Sequence, residues 1–159
     1  MPKIDLDALP ASNATGYPDP FDKPVTGRWW KRLAPSSGLT HMGASHVVLE
    51  PGAWSSQRHW HRGEDEMVIV LSGQGVLIEG VEGEPPVRTT LDAGDICTWP
   101  AGCESGHHIV NESDAPFVFV AIGAGDTPNG GRYSDIDMEF TEAGYVHKDG
   151  TPYPTRRIS

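Results

Sequence analysis

An all-β chain, folded as an antiparallel jelly-roll β-barrel with extended arms at both ends, is the fold class that the sequence predicts. Three observations carry it. Glycine and proline are frequent, at 19 and 14 of 159 residues, and they cut the chain into short segments. The segments between these breaks are rich in β-branched residues and alternate apolar with polar positions. No window shows the 3.6-residue apolar spacing of an amphipathic helix.

Taken in order, residues 1–37 read as an N-terminal arm. Pro2, Pro10, Pro18, Pro20 and Pro24, with Gly16 and Gly27, leave no periodicity of 2 or 3.6 over the first 28 residues. Such a segment lies extended on the surface of its own or a neighbouring subunit. Trp29 and Trp30 are expected to anchor it, because indoles bring a large apolar area. Residues 38–123 carry about eight strands at regular turn spacing. THMGASHVVLEPG gives one, WSSQRHWH the next and DEMVIVLSG the next; QGVLIEG follows after a short turn, as a hairpin. VRTTLDAGD, ICTWP, HHIVNES and APFVFVAIG complete the series. Residues 124–159 loosen into a C-terminal arm, in which YVHKDGTPY reads as a hairpin turning at Asp149 and Gly150. Arms at both ends point to strand exchange or wrapping in a homodimer.

The composition, 37% hydrophobic and 21% charged, is that of an ordinary globular chain of one domain. A formal net charge of −10, with no basic cluster beyond pairs such as Lys31–Arg32 and Arg156 with Arg157, argues against a nucleic-acid partner. No apolar run approaches the ~20 residues that span a bilayer, and the first residues lack a signal-peptide pattern, so no membrane partner and a cytoplasmic location are expected. Cys97 and Cys103 are then expected as reduced thiols.

The chemistry concentrates in residues 52–73, GAWSSQRHWHRGEDEMVIVLSG. His59 and His61 are two apart, so on a strand both imidazoles share one face. Glu66 follows after the break RGED, near the start of the next strand, which is expected to pair with the first. On their own, two histidines at this spacing are more often polar residues on a solvated face; with a converging carboxylate they suit one divalent transition metal, Fe, Mn, Ni, Zn or Co. A further ligand is expected from residues 94–111, GDICTWPAGCESGHHIVN. Neighbouring strand residues face opposite ways, so only one of His107 and His108 can look inward. His107 shares the face of Ile109 and Asn111. If the strands at 54–61 and 107–112 lie side by side, His107 completes a set of three histidines and one glutamate.

The same alternation sorts the neighbours. Gln57 falls on the face of His59 and His61 and is a candidate pocket residue, Arg58 faces away, and Arg62 falls at the turn near the mouth. With Glu66 inward, Val68 and Val70 line the cavity, and Met67, Ile69 and Leu71 pack on the other side. His108 is expected to face out, Asn111 to be a hydrogen-bonding strand residue, and Glu64 and Asp65 to be solvated turn residues. His41, His46 and His147 have no partner in sequence.

These two stretches resemble the paired motifs of the cupin superfamily. The first motif, G-x(5)-H-x-H-x(3,4)-E-x(6)-G, is matched by Gly52, His59, His61, Glu66 and Gly73, with one extra residue before His59. The second, G-x(5)-P-x-G-x(2)-H-x(3)-N, is matched by Gly94, Pro100, Gly102, His107 and Asn111, with two extra residues before His107. Both insertions fall in turns. The resemblance implies His59, His61, Glu66 and His107 as metal ligands. The tail, with YSDIDM and KDGTPY, is similar to a group of bacterial single-domain cupins. The superfamily spans dioxygenases, isomerases, decarboxylases, lyases, sugar-binding modules and storage proteins, and fold alone does not choose among them. The resemblance implies a metalloenzyme (dioxygenase, isomerase or lyase) acting on a small polar metabolite with a carboxylate or vicinal oxygens, or a sugar- or acid-binding module without turnover. No residue declares itself for proton transfer; a tyrosine or the glutamate ligand could serve.

Overall fold

The computed structural model describes residues 3–125 and 130–154. Parts of the expected C-terminal arm, 126–129 and 155–159 with Arg156 and Arg157, lie outside the described residues. Twelve strands are present among those described: β1 (Arg28–Arg32), β2 (Gly43–Leu49), β3 (His59–His61), β4 (Glu64–Ser72), β5 (Gly75–Gly80), β6 (Val87–Leu91), β7 (Ile96–Trp99), β8 (Gly106–Val110), β9 (Phe117–Gly125), β10 (Gly131–Tyr133), β11 (Glu139–Thr141) and β12 (Gly144–Val146). The only helical pieces among these residues are two 3₁₀ turns, Lys23–Val25 and Pro35–Ser37. None is long and apolar enough to cross a membrane.

The strands form two antiparallel sheets. One has the order β1-β2-β9-β4-β7, the other β12-β11-β10-β3-β8-β5-β6. The hydrophobic core lies between them, with Val47, Leu49, Val68, Val70 and Phe119 from the first sheet meeting Leu77 and Ile109 from the second. Period-two alternation explains which residues these are. On β4, Val68 and Val70 are buried, at 4% and 2% exposure, whereas Met67 and Leu71 are exposed, at 38% and 48%. This is the inward and outward division that the sequence predicts.

Two pairing expectations are corrected. β4 and β5 do not form a hairpin, because β4 pairs with β7 and β9 while β5 pairs with β6 and β8. The chain changes sheets between them at Gly73, whose φ of +79° is open to glycine and whose Cα abuts the Pro116 carbonyl with no room for a Cβ. Nor does β3 pair with β4; they belong to different sheets. The expected neighbour of β3 is confirmed, since β3 lies antiparallel to β8 with His59 opposite His107.

Both terminal regions contribute strands. β1 pairs with β2 over all five residues, from Arg28↔Leu49 to Arg32↔Ser45. Trp30 packs against the core and donates its indole N–H to the Ala14 carbonyl, fixing the preceding segment, which also bridges to it at Ser12. Trp29 points the other way, 37% exposed, and donates to Glu50; of the two expected anchors, Trp30 alone is packed on the core. At the other end, β10, β11 and β12 extend the second sheet beyond β3. The predicted terminal turn is present, with Gly150 at φ +89° and its N–H bonded to the His147 carbonyl. A second apolar cluster, Tyr17, Val25, Tyr133 and Met138, joins the two terminal regions.

Asn111 shows why the second motif ends on an asparagine. It is fully buried. Its amide donates to the Leu49 and Ala115 carbonyls, and its Oδ1 accepts from the Ser113 N–H and hydroxyl. It therefore ties the end of β8 to β2 and to the loop before β9. Asn111→Ala leaves two carbonyls without these donors, and is expected to lower stability by about 2–4 kcal/mol, read as a shift in the urea midpoint. A shift under ~0.5 kcal/mol, the scale of a surface change, would contradict this.

Candidate metal centre

His59 and His61 are the two ends of the three-residue strand β3, and they stay on one face because only Trp60 intervenes. Glu66 reaches them from the other sheet. His59, His61 and Glu66 each present one donor atom, all within 4.8 Å of one another. His59 Nε2 lies 3.1 Å from His61 Nε2, and His61 Nε2 lies 3.6 Å from Glu66 Oε2. His107 lies outside that group of three but touches it, its Nε2 standing 2.8 Å from Glu66 Oε2.

The donor chemistry fits a divalent transition metal. In His59 and His107 the Nε2 atoms look inward, and each Nδ1 faces a backbone carbonyl, Gln57 at 2.9 Å and Ser105 at 3.3 Å. That outer contact fixes the tautomer and aims the ring, as in metal-binding histidines generally. The Ser56 hydroxyl adds a contact to His59 Nδ1 at 3.2 Å. Trp99 stacks on His107 with ring centroids 3.7 Å apart and planes 7° off parallel. Phe140 of β11 sets its ring edge-to-face with His61 at 5.1 Å.

Burial drives His59 down to about 3, only partly opposed by the Glu66 charge, so at neutral pH its imidazole is uncharged and ready to ligate. Burial pushes Glu66 up, but the His107 hydrogen bond and the neighbouring imidazoles outweigh it and bring Glu66 to about 2. The centre therefore holds a neutral His59 imidazole beside the Glu66 carboxylate anion.

Other expected site residues fall differently. Gln57 is not a pocket residue. Residues 55–58 bend instead of continuing the strand, so alternation cannot be carried back from His59. Gln57 is buried with its amide donating to the Phe21 carbonyl and its N–H to the Tyr17 hydroxyl. Arg58 does turn from the cavity, but into a buried clamp: it grips Asp135 through two bonds and the Gly80 carbonyl through a third. Arg62 pairs with Glu139 of β11. His108 turns off the His107 face as expected, yet that face is covered; His108 is 4% exposed, with Nδ1 3.0 Å from the Ser56 carbonyl and its ring edge-to-face with Trp54. Cys97 and Cys103 are free thiols. His147 stacks on Tyr153 and meets Asp137.

Glu64 and Asp65 are not turn residues; both belong to β4. Asp65 accepts from the Ala101 N–H. Glu64 stands 3.9 Å from His61 Nδ1, and burial raises its pKa. Its place, two residues before Glu66 on one strand face, is the signal that could have found it. The tyrosines near the centre, Tyr133 and Tyr145, come from strands carrying no motif. The Tyr133 ring lies 5.6 Å from that of His59.

A cavity of about 420 Å³ opens onto His59, Glu66 and His107, with Trp99, Tyr17 and Tyr145 in its wall. Its size is within the range of small-molecule sites. A model described as "Cupin domain" matches residues 45–123. A structure from Silicibacter pomeroyi, described as a sugar phosphate isomerase from a cupin superfamily, is 35% identical over 99% of this chain and 100% of its own, with a TM-score of 0.87. This chain belongs to the cupin superfamily. Other cupins share its fold at lower identity: a "Cupin 2 conserved barrel domain protein" from Salinispora arenicola, at 24% over 80% of this chain and 88% of its own, TM-score 0.54, and oxalate decarboxylase from Bacillus subtilis, at 24% over 63% of this chain and 26% of its own, TM-score 0.53. No curated protein sequence matches it.

Two tests follow from this cupin's centre. His61→Ala and His107→Ala are each expected to lower bound metal in protein purified without a polyhistidine tag by at least ~10-fold while the near-native fold persists. Full metal content in both variants would show the ligands misassigned. In metal-stripped protein, His59 stays neutral in the fold down to about 3, whereas the unfolded chain protonates it below about 6.5. Glu66 stays ionised in the fold down to about 2, whereas the unfolded chain protonates it below about 4.3. The unfolded state binds more protons in both cases, so stability is lost as pH falls, first through the His59 window and then through that of Glu66. The urea midpoint of stripped protein should drop below about pH 6.5, and His59→Gln should remove the upper part of that drop.

Proposed function

We propose that this cupin is a metal-dependent isomerase acting on a small sugar phosphate. The observation that carries the reading is the histidine–glutamate cluster opening onto a cavity of about 420 Å³ whose wall mixes hydroxyls, aromatic rings and basic groups. The description of the 35%-identical relative, which spans this chain nearly end to end, supports it. His59, His61, Glu66 and His107 are the ligands in this reading. A divalent metal held there supplies charge stabilisation for the neighbouring oxygens of a hydroxy-carbonyl substrate.

Interconverting an aldose and a ketose moves one hydrogen between adjacent carbons and one proton between their oxygens. The chain's own contribution is to line the cavity and to place a proton donor. Tyr145 lines both the main cavity and a smaller pocket of about 280 Å³ on the other side of His59. Burial raises its pKa, so its hydroxyl is protonated at neutral pH and can donate to a substrate oxygen. The Tyr133 hydroxyl bonds to those of both Tyr145 and Tyr17. Burial carries Tyr17 up to about 12. The trio is thus a chain of neutral hydroxyls leading from beside His59 towards the cavity wall.

The test is a panel of aldose and ketose phosphates with metal-loaded protein, followed by NMR for interconversion and for deuterium uptake from solvent. Tyr145→Phe is expected to lower kcat by roughly 10²–10⁴-fold with metal content unchanged. Full metal occupancy without interconversion of any member of the panel would remove the isomerase reading and leave a binding module.

A further inference from the structure

The described chain has six arginines, and their pairing is uneven. Arg58, Arg62, Arg88 and Arg132 each form an ion pair, with Asp135, Glu139, Glu112, and Glu82 with Glu139 respectively. Arg28 and Arg32 have no carboxylate within ion-pair distance among the described residues, and both line the main cavity. In a chain with 22 acidic and 12 basic residues, the two arginines left unpaired among the described residues are those facing the site. They are residues 28 and 32 of β1, so with Trp30 between them they share the face turned inward.

Arg28 is the better placed. Its guanidinium spends one donor, Nη1, on the Ser55 carbonyl at 2.8 Å. Its Nε is buried and has no partner. A buried donor without an acceptor is costly in a finished fold, so this guanidinium keeps hydrogen-bonding capacity that the protein itself does not use. The groups near Arg28 do not neutralise it, because Tyr17 and Tyr145, whose pKa values its charge pulls down, are raised overall by burial and keep their protons. The same Ser55–Ser56 segment joins it to the centre, since Ser56 contacts His59. Arg32 is exposed at the rim, its guanidinium 5.1 Å from the Trp30 ring centre.

We propose that Arg28 is the anchor for the phosphoryl group of the substrate, binding it through its guanidinium, with Arg32 drawing the anion in from the rim. Two uncompensated positive charges match a dianion, and the planar fork suits phosphoryl oxygens. The identity of the anion as part of a sugar phosphate rests on the isomerase reading; the anion site itself does not. Arg28 would then fix which end of the substrate faces the metal centre, and act on specificity without joining the proton transfers.

Calorimetry with inorganic phosphate, and with acetate as the carboxylate counterpart, tests this on the full chain as purified. Arg28→Gln is expected to weaken phosphate binding by roughly 10–100-fold, as expected for losing charge-assisted hydrogen bonds. Arg28→Lys should recover part of it, and Arg88→Gln, whose residue is paired outside the cavity, should leave it unchanged. In the sugar phosphate assay Arg28→Gln should raise KM with little change in kcat. Arg32→Gln should weaken phosphate binding by a few-fold at low salt, and the difference should fade in high salt. Unchanged phosphate binding in Arg28→Gln, or acetate bound more tightly than phosphate, would overturn the proposal. If Arg28→Gln does not fold, Arg32→Gln decides, and unaltered phosphate binding there overturns it. Phosphate binding that depends on Arg28 without turnover of any sugar phosphate would keep the anion site and remove the isomerase; turnover with a KM indifferent to Arg28 would do the reverse.

Discussion

Glu66 and His107 meet across the interior, 2.8 Å apart, and the remainder of the site is arranged around that contact. A carboxylate drawn in from water is expensive unless charge and hydrogen bonds compensate it. Here one sheet supplies the anion and the other supplies the imidazoles. Facing sheets stand about 10 Å apart, a gap that a glutamate from one side and histidines from the other close at its middle. The backbone carbonyls of Gln57 and Ser105 hold the outer nitrogens of His59 and His107, so the inner ones point to one place. Trp99 against His107 and Phe140 against His61 limit the freedom of the rings.

The segments that flank the motif-bearing strands build the rest of the cavity. Tyr17 and Arg28 arrive from before β2 and Tyr145 from after β9, with Tyr133 packed against the two tyrosines. Their rings pack together, Tyr17 stacked on Tyr145 at 5.4 Å and edge-to-face with Tyr133 at 5.6 Å. The Arg58–Asp135 clamp holds the chain after β10 against the end of β5. An arginine so buried depends on its partner, because a charge left alone in the interior destabilises strongly. The clamp ties the segment after β10 to the sheet that carries the histidines.

This division of labour fits the spread of chemistries on the cupin fold. Oxalate decarboxylase shares the architecture with this chain at 24% identity, a level at which fold persists and reaction does not follow. The relative at 35% identity matches 99% of the chain, so the likeness includes the flanking segments that line the cavity. Substrate choice is expected to lie in those segments, because the central strands supply the metal-binding geometry while the walls meet the substrate.

The sequence by itself determined most of the strands and singled out the residues of the candidate centre. Strand alternation is local: side chains two apart face the same way whatever the fold, so His59 with His61, Val68 with Val70, and the fact that only one of His107 and His108 could look inward were all legible from spacing, while the motif resemblance pointed to His107. Asn111 was legible as a hydrogen-bonding residue for the same reason. Tertiary structure alone decided that β4 crosses to the opposite sheet from β3, so that Glu66 faces the histidines instead of lying beside them. It also decided that residues 55–58 bend, taking Gln57 out of the cavity, and that Glu64 lies in β4 near His61. Arg28, Tyr133 and Tyr145 carry no motif, and their place in the site follows from which strand ends the two sheets bring together. Pairing between distant strands depends on where the chain changes sheets and on what the core admits there, as at Gly73 beneath Pro116, and those are properties of the packed molecule that no short stretch of sequence contains.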